Sequence, residues 1–525
     1  MTAAGDARGS GPGVARLYQR VLAAIFLVAW LSLASQVRLL VGSRGLLPLG
    51  DLVDAARAEH ALTFLTFPSW LAYAPGDGAL TLGTYAGALL AVLGLLGVAP
   101  RATVAAQTFL YLGYTVACRS FLGFQWDNLL LECGLLATFL PTNRRAPIAH
   151  LLLRALLFKL YFESGVAKWQ SPLHDWQDGS AMTYYYETAP LPTWLAFYAH
   201  HLPRAWHLFE SRAVLVIELG VPFAVFGPRR ARLATAAILT LFQLINAATA
   251  NYGFFVYLAL GLHVFLLDDG DVERARAWLS AIVLRGGVRR AFAAVALGAR
   301  RLRARAPRSQ RLLGTMVERW QRGWLGWRAA GRGAAVLGFV AWVGVSGTEA
   351  AFTFGEPGAG ARTLIPILNL SQTFRLISTY HLFAAVTRER IEPELQVRTA
   401  ATLAAADGDA DAAFRPLAFR YKPGAVDRAP PFVAPHQPRV DFLLWFYGLA
   451  YQRRQPAYVS ELLALLCEEP GAVAALFDPP PPDAPDAVRI VFWDYRFASP
   501  AEKRATGAWW TRRRIDATAP IACVK

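Results

Sequence analysis

Charge is scarce in this chain, and so are lysine, methionine and cysteine. Charged residues are 17% of the 525 positions, against roughly 25% in a typical soluble domain. That shortage excludes an ordinary water-soluble globule with a charged surface on all sides. Lysine occurs only at Lys159, Lys168, Lys422, Lys503 and Lys525, although Lys and Arg together number 53. The four cysteines, Cys118, Cys133, Cys467 and Cys523, form no CxxC and belong to no Cys/His cluster with metal spacing. A disulfide scaffold and a zinc module are thereby excluded. Cys118 and Cys133 sit in or beside apolar runs and read as core. Cys467 and Cys523 pair if their segment is exported, which spacing leaves open. GxSxG, a P-loop, HExxH and GxGxxG after a strand are all missing, so nothing indicates a soluble enzyme site, a metal or a cofactor.

Hydrophobic residues are abundant, at 55%, with a mean hydropathy of +0.32. A membrane span needs about 20 apolar residues. Nine runs qualify or come close: residues 21–37, 79–98, 102–118, 121–140, 150–169, 213–227, 233–250, 252–267 and 334–353. The first run reads as an uncleaved anchor, with a signal peptide as the alternative, since Arg16 and Arg20 form a basic segment before it. The net charge of +16 falls mostly on Arg between the runs. This pattern favours cytoplasmic loops facing anionic lipid over a nucleic-acid surface. The positive-inside rule then places the N-terminus, the loops with Arg101, Arg144–Arg145 and Arg229–Arg232, and the Arg-rich segment 268–332 inside. Loops 38–78 and 170–212 and the tail fall outside.

The expected architecture is mainly α: a polytopic membrane helical bundle followed by a soluble α+β or β-rich domain. Its parts are a cytoplasmic tail at 1–20, a transmembrane domain at 21–267, a basic loop at 268–332, a last span at 333–353 and an extracytoplasmic domain at 354–525. Within the basic loop, 283–305 reads equally as an amphipathic surface helix or a solvated linker. In the tail, 414–421 and 488–497 read as strands, 440–451 and 458–468 as helices, and Pro-rich 478–485 as an extended connector.

Ionisable residues inside a bilayer are costly and point to function by default. The run 150–169 holds Arg154, Lys159, Glu163 and Lys168. Lys159 and Glu163 share a helix face at i,i+4 and read first as a mutually neutralising structural pair, and second as acid/base chemistry. Glu132 and Glu218 are further carboxylates inside apolar runs, and Asp127 lies at the mouth of one. The loop 170–212 is dense in aromatics, including Trp176, Tyr184, Tyr185 and Tyr186. It reads either as an interfacial belt or as a surface for apolar protein. The pair His200–His201 makes a poor metal site, because adjacent side chains on a helix point about 100° apart.

Ordered motifs carry a resemblance. Gly42–Pro48 reads GSRGLLP, and Gln125-Trp126-Asp127 is followed by Leu129–Glu132. Next come Ser164–Lys168, Trp176, Tyr186-Glu187-Thr188 with Pro190-Leu191-Pro192, and Asn251-Tyr252-Gly253-Phe254-Phe255. The tail adds Lys422-Pro423-Gly424, Pro435–Asp441 with Arg439, Trp445-Phe446 and Gly507-Ala508-Trp509-Trp510. From about residue 42 to 514 this series resembles the lipase maturation factor family. Departures are Tyr185 and Ala189 in the HYETQPLP block, Ala250 before NYGFF, and Phe442 after PHQPRLD. The resemblance implies a membrane-bound, chaperone-like and non-enzymatic maturation factor whose partners are membrane lipid and a secreted lipase or other exported client, not nucleic acid. It implies an endoplasmic reticulum membrane for eukaryotic members. The Arg/Ala-rich character points to a bacterial cytoplasmic membrane here. The competing reading is an intramembrane enzyme using Asp127, Lys159, Glu163 and Lys168 on a lipid or peptide; a transporter is weaker, since paired halves are not evident.

Overall fold

In the computed structural model, residues 11–285, 328–356, 359–407 and 409–523 are described. Of the basic loop 268–332, residues 286–327 lie outside the described residues, and with them all but the start of the expected surface helix at 283–305; the loop begins as a helix over Asp269–Arg285. The amino-terminal half is helical. Its main elements are α1 (Pro12–Ala34), α2 (Asp77–Leu95), α3 (Pro100–Ala117), α4 (Gln125–Thr138) and α5 (Pro147–Trp169). They continue as α6 (Ala181–Thr188), α7 (Arg204–Leu219), α8 (Arg229–Thr249), α9 (Phe255–His263) and α10 (Arg328–Phe354). Pro at the first turn starts α1, α3 and α5, where its missing N–H is no loss. The helix pair α1–α2 packs closely because Gly87 leaves room for the Trp30 indole; a Cβ there would collide with the ring.

Among the described residues, four helices are long and apolar enough to cross a membrane: α1, α2, α8 and the Gly333–Phe354 stretch of α10. The nine apolar runs do not all become unbroken spanning helices. Run 121–140 is split into a single 3-10 turn, Arg119–Leu122, and the 14-residue α4. Run 213–227 is broken after α7 at Gly220, and Val221–Phe226 continues as 3-10 helix, because Pro222 cannot continue an α-helix. Run 252–267 yields only the nine residues of α9 and a 3-10 turn. The physical reason is burial in protein rather than lipid: Leu129, Leu130, Leu131 and Leu136 of α4 are all buried by neighbouring elements.

The tail is α+β. Its antiparallel sheet has the order β2-β1-β3-β4, with β5 also paired to β3. The strands are β1 (Ile391–Arg398), β2 (Arg415–Pro416), β3 (Ala487–Phe497), β4 (Trp510–Ala517) and β5 (Ile521–Ala522). Of the strand expected over 414–421, Arg415–Pro416 pairs with Gln396 and Val397, and Phe419 makes an isolated bridge to Phe477. Helices α11 (Arg439–Leu449) and α12 (Ala457–Glu468) pack against β1 and β3 respectively. Cys467 and Cys523 form a disulfide, which settles the pairing that spacing left open. One hydrophobic cluster runs from Val14 and Tyr18 through Tyr252 and Tyr380 to Val488 and Trp510. The tail is thus packed onto the helical half and is not tethered at a distance.

Candidate functional site

The motif residues gather along the seam between the helical half and the tail. Asp127 opens α4 and Arg439 opens α11. Arg439 Nη1 donates to Asp127 Oδ2 at 2.6 Å, and Nη2 donates to Oδ1 at 2.8 Å. Nη1 also donates to the Phe121 carbonyl at 3.1 Å, and the Tyr111 hydroxyl donates to Asp127 Oδ1 at 2.7 Å. Both charged side chains are essentially buried, so this bidentate link is a desolvated, geometrically exact pair of the strong kind. Arg439 and Asp441 lie in the first turn of α11, and Asp441 accepts from the Tyr421 N–H at 3.3 Å. Burial pushes the Asp441 carboxyl up to about 6, opposed by Lys422.

A second crossing centres on Arg390. Its guanidinium donates to the carbonyls of Glu187, Ala189 and Pro190 at the end of α6 and lies over the Trp510 ring. It pairs with Glu392 at 2.6 Å, and Glu392 in turn holds Lys422 at 2.7 Å. Burial lowers the Lys422 pKa, opposed by Glu392. Glu187 Oε1 accepts from the Phe497 N–H at 2.6 Å, and Oε2 accepts from Arg496 at 3.1 Å. Trp445 Nε1 donates to the Thr188 carbonyl at 2.9 Å. Trp509 meets the Phe197 ring edge-on.

The third crossing lies at the end of α8. Asn251 Oδ1 accepts from the Val433 and Ala434 N–H groups at 2.7 and 2.9 Å, and Nδ2 donates to Pro431 O at 2.9 Å. Pro192 bridges Ala250 there. Gly253 has φ +52°, a left-handed conformation that favours glycine, and a Cβ there would strike the Gln437 side chain. Gln437 N–H donates to Ser32 Oγ at 3.0 Å, and Arg439 N–H donates to Gln36 Oε1 at 3.0 Å.

The expected Lys159–Glu163 pair is corrected. Lys159 Nζ lies 3.4 Å from Glu132 Oε1, which also accepts from Trp342 Nε1 at 3.0 Å. Glu163 Oε2 accepts the Tyr380 N–H at 2.8 Å, while the Tyr380 hydroxyl donates to Glu132 Oε2 at 2.6 Å. Glu163 and Glu349 both lie within electrostatic reach of Lys159. Periodicity put Lys159 and Glu163 on one face but could not see the carboxylate on the facing helix. Lys168 pairs with Glu218 at 2.7 Å and donates to Leu382 O at 2.8 Å. The segment after α10 is therefore strapped into the helical half by buried charge. Asp127 does not join the Lys159 cluster.

Of the remaining motif residues, Trp126 packs on Phe124 and Phe442. Trp176 is buried under Lys168 Nζ, and the Tyr186 hydroxyl donates to Glu210 at 2.9 Å. Tyr252 shares a hydroxyl hydrogen bond with Tyr185 at 2.6 Å. Pro423 borders a narrow crevice with Pro192, Arg428 and Trp510. Much of the aromatic loop is thus core: Trp176, Tyr185 and Tyr186 are buried, whereas Trp194, Tyr198 and Trp206 are exposed. Sequence reasoning missed Arg390, Tyr380, Tyr111 and Gln36. Among the described residues, no group of His, Cys, Asp and Glu is arranged to hold a metal ion.

A multi-pass helical membrane domain with a carboxy-terminal α+β domain locked onto it defines the class. The family model described as the lipase maturation factor transmembrane domain matches residues 14–274, and the one described as the lipase maturation factor C-terminal domain matches residues 376–520. Lipase maturation factor 2 of Homo sapiens is 30% identical, over 95% of this chain and 81% of its own length. Lipase maturation factor 1 of Bos taurus is 28% identical, over 94% and 86%. No solved structure matches. The chain belongs to the lipase maturation factor family.

Proposed function

We propose that this chain is a membrane-bound maturation factor that assists folding or assembly of secreted lipases or other exported clients, without catalysing a reaction. The observation that carries this reading is where the motif residues go. Asp127, Arg439, Glu187 and Asn251 hold the tail to the membrane domain and are not presented to a substrate. Binding work needs a large, fixed outer surface, and a rigidly docked tail supplies one. The names of the matched relatives supply the client class. Deleting the gene in its host should lower the activity per molecule of a secreted lipase, and the full chain should restore it. Unchanged lipase activity in the deletion strain would remove the reading.

The proposed topology has the N-terminus inside and the tail outside, in a bacterial cytoplasmic membrane. Two observations support it: the Arg-rich inner loops, and the Cys467–Cys523 disulfide, which suits an oxidising compartment. Reporter fusions at residues 300 and 450 should report opposite sides; the same side for both contradicts it.

The second reading, an intramembrane enzyme, has one observation in its favour. Glu132, Glu163 and Glu349 converge on the single Lys159, and Glu349 Oε1 has no hydrogen-bond partner among the described residues. Glu163→Gln that folds normally yet abolishes function would favour that reading over ours.

A further inference from the structure

Most of the aromatic loop 170–212 is core, but one group of rings is not. Trp194, Tyr198 and Phe432 are 41%, 52% and 50% exposed. They touch one another although Phe432 belongs to the tail: Trp194 meets Tyr198 and Phe432 edge-on, each at 6.1 Å between ring centres.

Their height relative to the spans is fixed by hydrogen bonds. Thr193 N–H donates to Thr249 O at 3.1 Å, and Pro192 bridges Ala250. Trp194 therefore lies level with the carboxy-terminal end of α8. Phe432 is held at the same level, because Asn251, two residues past that end, grips Pro431 and Val433 on either side of it. Helix α8 has 21 residues, so at 1.5 Å per residue it is about 31 Å long and matches the hydrocarbon core. Leu241, Leu244 and Ile245 on α8 are 60%, 53% and 46% exposed, so this span keeps large apolar side chains uncovered by protein. The exposed rings sit at the level of the end of this span, the depth that Trp and Tyr favour.

We propose that the tail domain makes its own contact with the bilayer, with Phe432 entering the boundary between headgroups and acyl chains beside Trp194. The occupant of this patch is the lipid of the membrane that the chain spans. A lipid contact on the tail adds to the protein contacts of the seam and fixes the height of the docked domain above the membrane. This inference rests on the membrane class of the chain and not on its client.

The test uses the full chain in lipid nanodiscs. Phe432→Cys is labelled with a small environment-sensitive fluorophore; Trp194→Cys serves as a second position and Ala484→Cys, on the exposed Pro-rich connector, as the control. Brominated phosphatidylcholine should quench the labels at 432 and 194 about twofold or more beyond the control, as expected for side chains at the headgroup boundary. Aqueous iodide should quench the control label preferentially. Iodide quenching at 432 and 194 equal to the control, without lipid quenching, overturns the proposal. A label at 432 that responds only when a lipase is added also overturns it and makes the patch a client surface.

Discussion

Changing Asp127 to Asn leaves the Arg439 guanidinium buried without its counter-charge. The wild-type pair makes two charge-assisted hydrogen bonds of 2.6 and 2.8 Å, and both side chains are at least 97% buried. Breaking such a pair from one side costs roughly 3–5 kcal/mol, or about two to four orders of magnitude in an equilibrium constant. The cost falls on docking, because the pair joins α4 of the helical half to α11 of the tail. Hydrogen exchange reads it directly. The Val433, Gln437 and Phe497 amides donate across the seam, to Asn251, Ser32 and Glu187. Their protection in Asp127→Asn should fall by about a hundredfold or more, as an uncompensated buried charge requires. Amides within β3–β1 pairs remote from the seam should change much less. The double variant Asp127→Leu with Arg439→Met removes both charges and should regain most of the protection. Unchanged exchange at the three seam amides in Asp127→Asn, or a double variant as exposed as the single one, would refute the reasoning.

Other consequences follow from the same contacts. Asn251→Ala strands the part-buried Val433 and Ala434 N–H groups and should destabilise the docked tail by about 2 kcal/mol, the low end of ~1–3 kcal/mol for each of the two groups; a chemical-denaturation midpoint equal to wild type contradicts this. Glu132→Gln breaks the ion pair with Lys159 and should lower the yield of folded protein in detergent, whereas Lys159→Met with Glu132→Leu should recover much of it. Burial pushes the His436 imidazole down to about 4. The folded state thus binds fewer protons than the unfolded state between that value and about 6.5. The stability present above pH 6.5 is lost as pH falls through this window, and His436→Gln should show a shallower loss on acid titration; an identical slope argues against it.

The sequence made some of this legible and hid the rest for reasons that residues show. Apolar runs announced the helices, yet α4 and α9 turned out short because protein neighbours, not lipid, cover their leucines and alanines. Helices over 440–451 and 458–468 were readable from periodicity, and both formed within a residue or two. Periodicity could also place Lys159 and Glu163 on one face, but the partner of Lys159 is Glu132, 27 positions earlier on the adjoining helix. Asp127 and Arg439 are 312 positions apart, and only motif order hinted that both matter. Arg390 left little signal, because beside Glu392 its acceptors on Glu187, Ala189 and Pro190 are main-chain carbonyls that every residue possesses.

The central claim is that the docked tail and the membrane domain together serve a secreted client. It is tested most directly by secreted lipase activity, per molecule of lipase, in a deletion strain carrying either the full chain or a chain truncated after residue 400. The full chain should restore activity, and the truncated chain, although inserted in the membrane, should leave it at the deletion level. Equal activity with the full chain, the truncated chain and no chain at all would contradict the account.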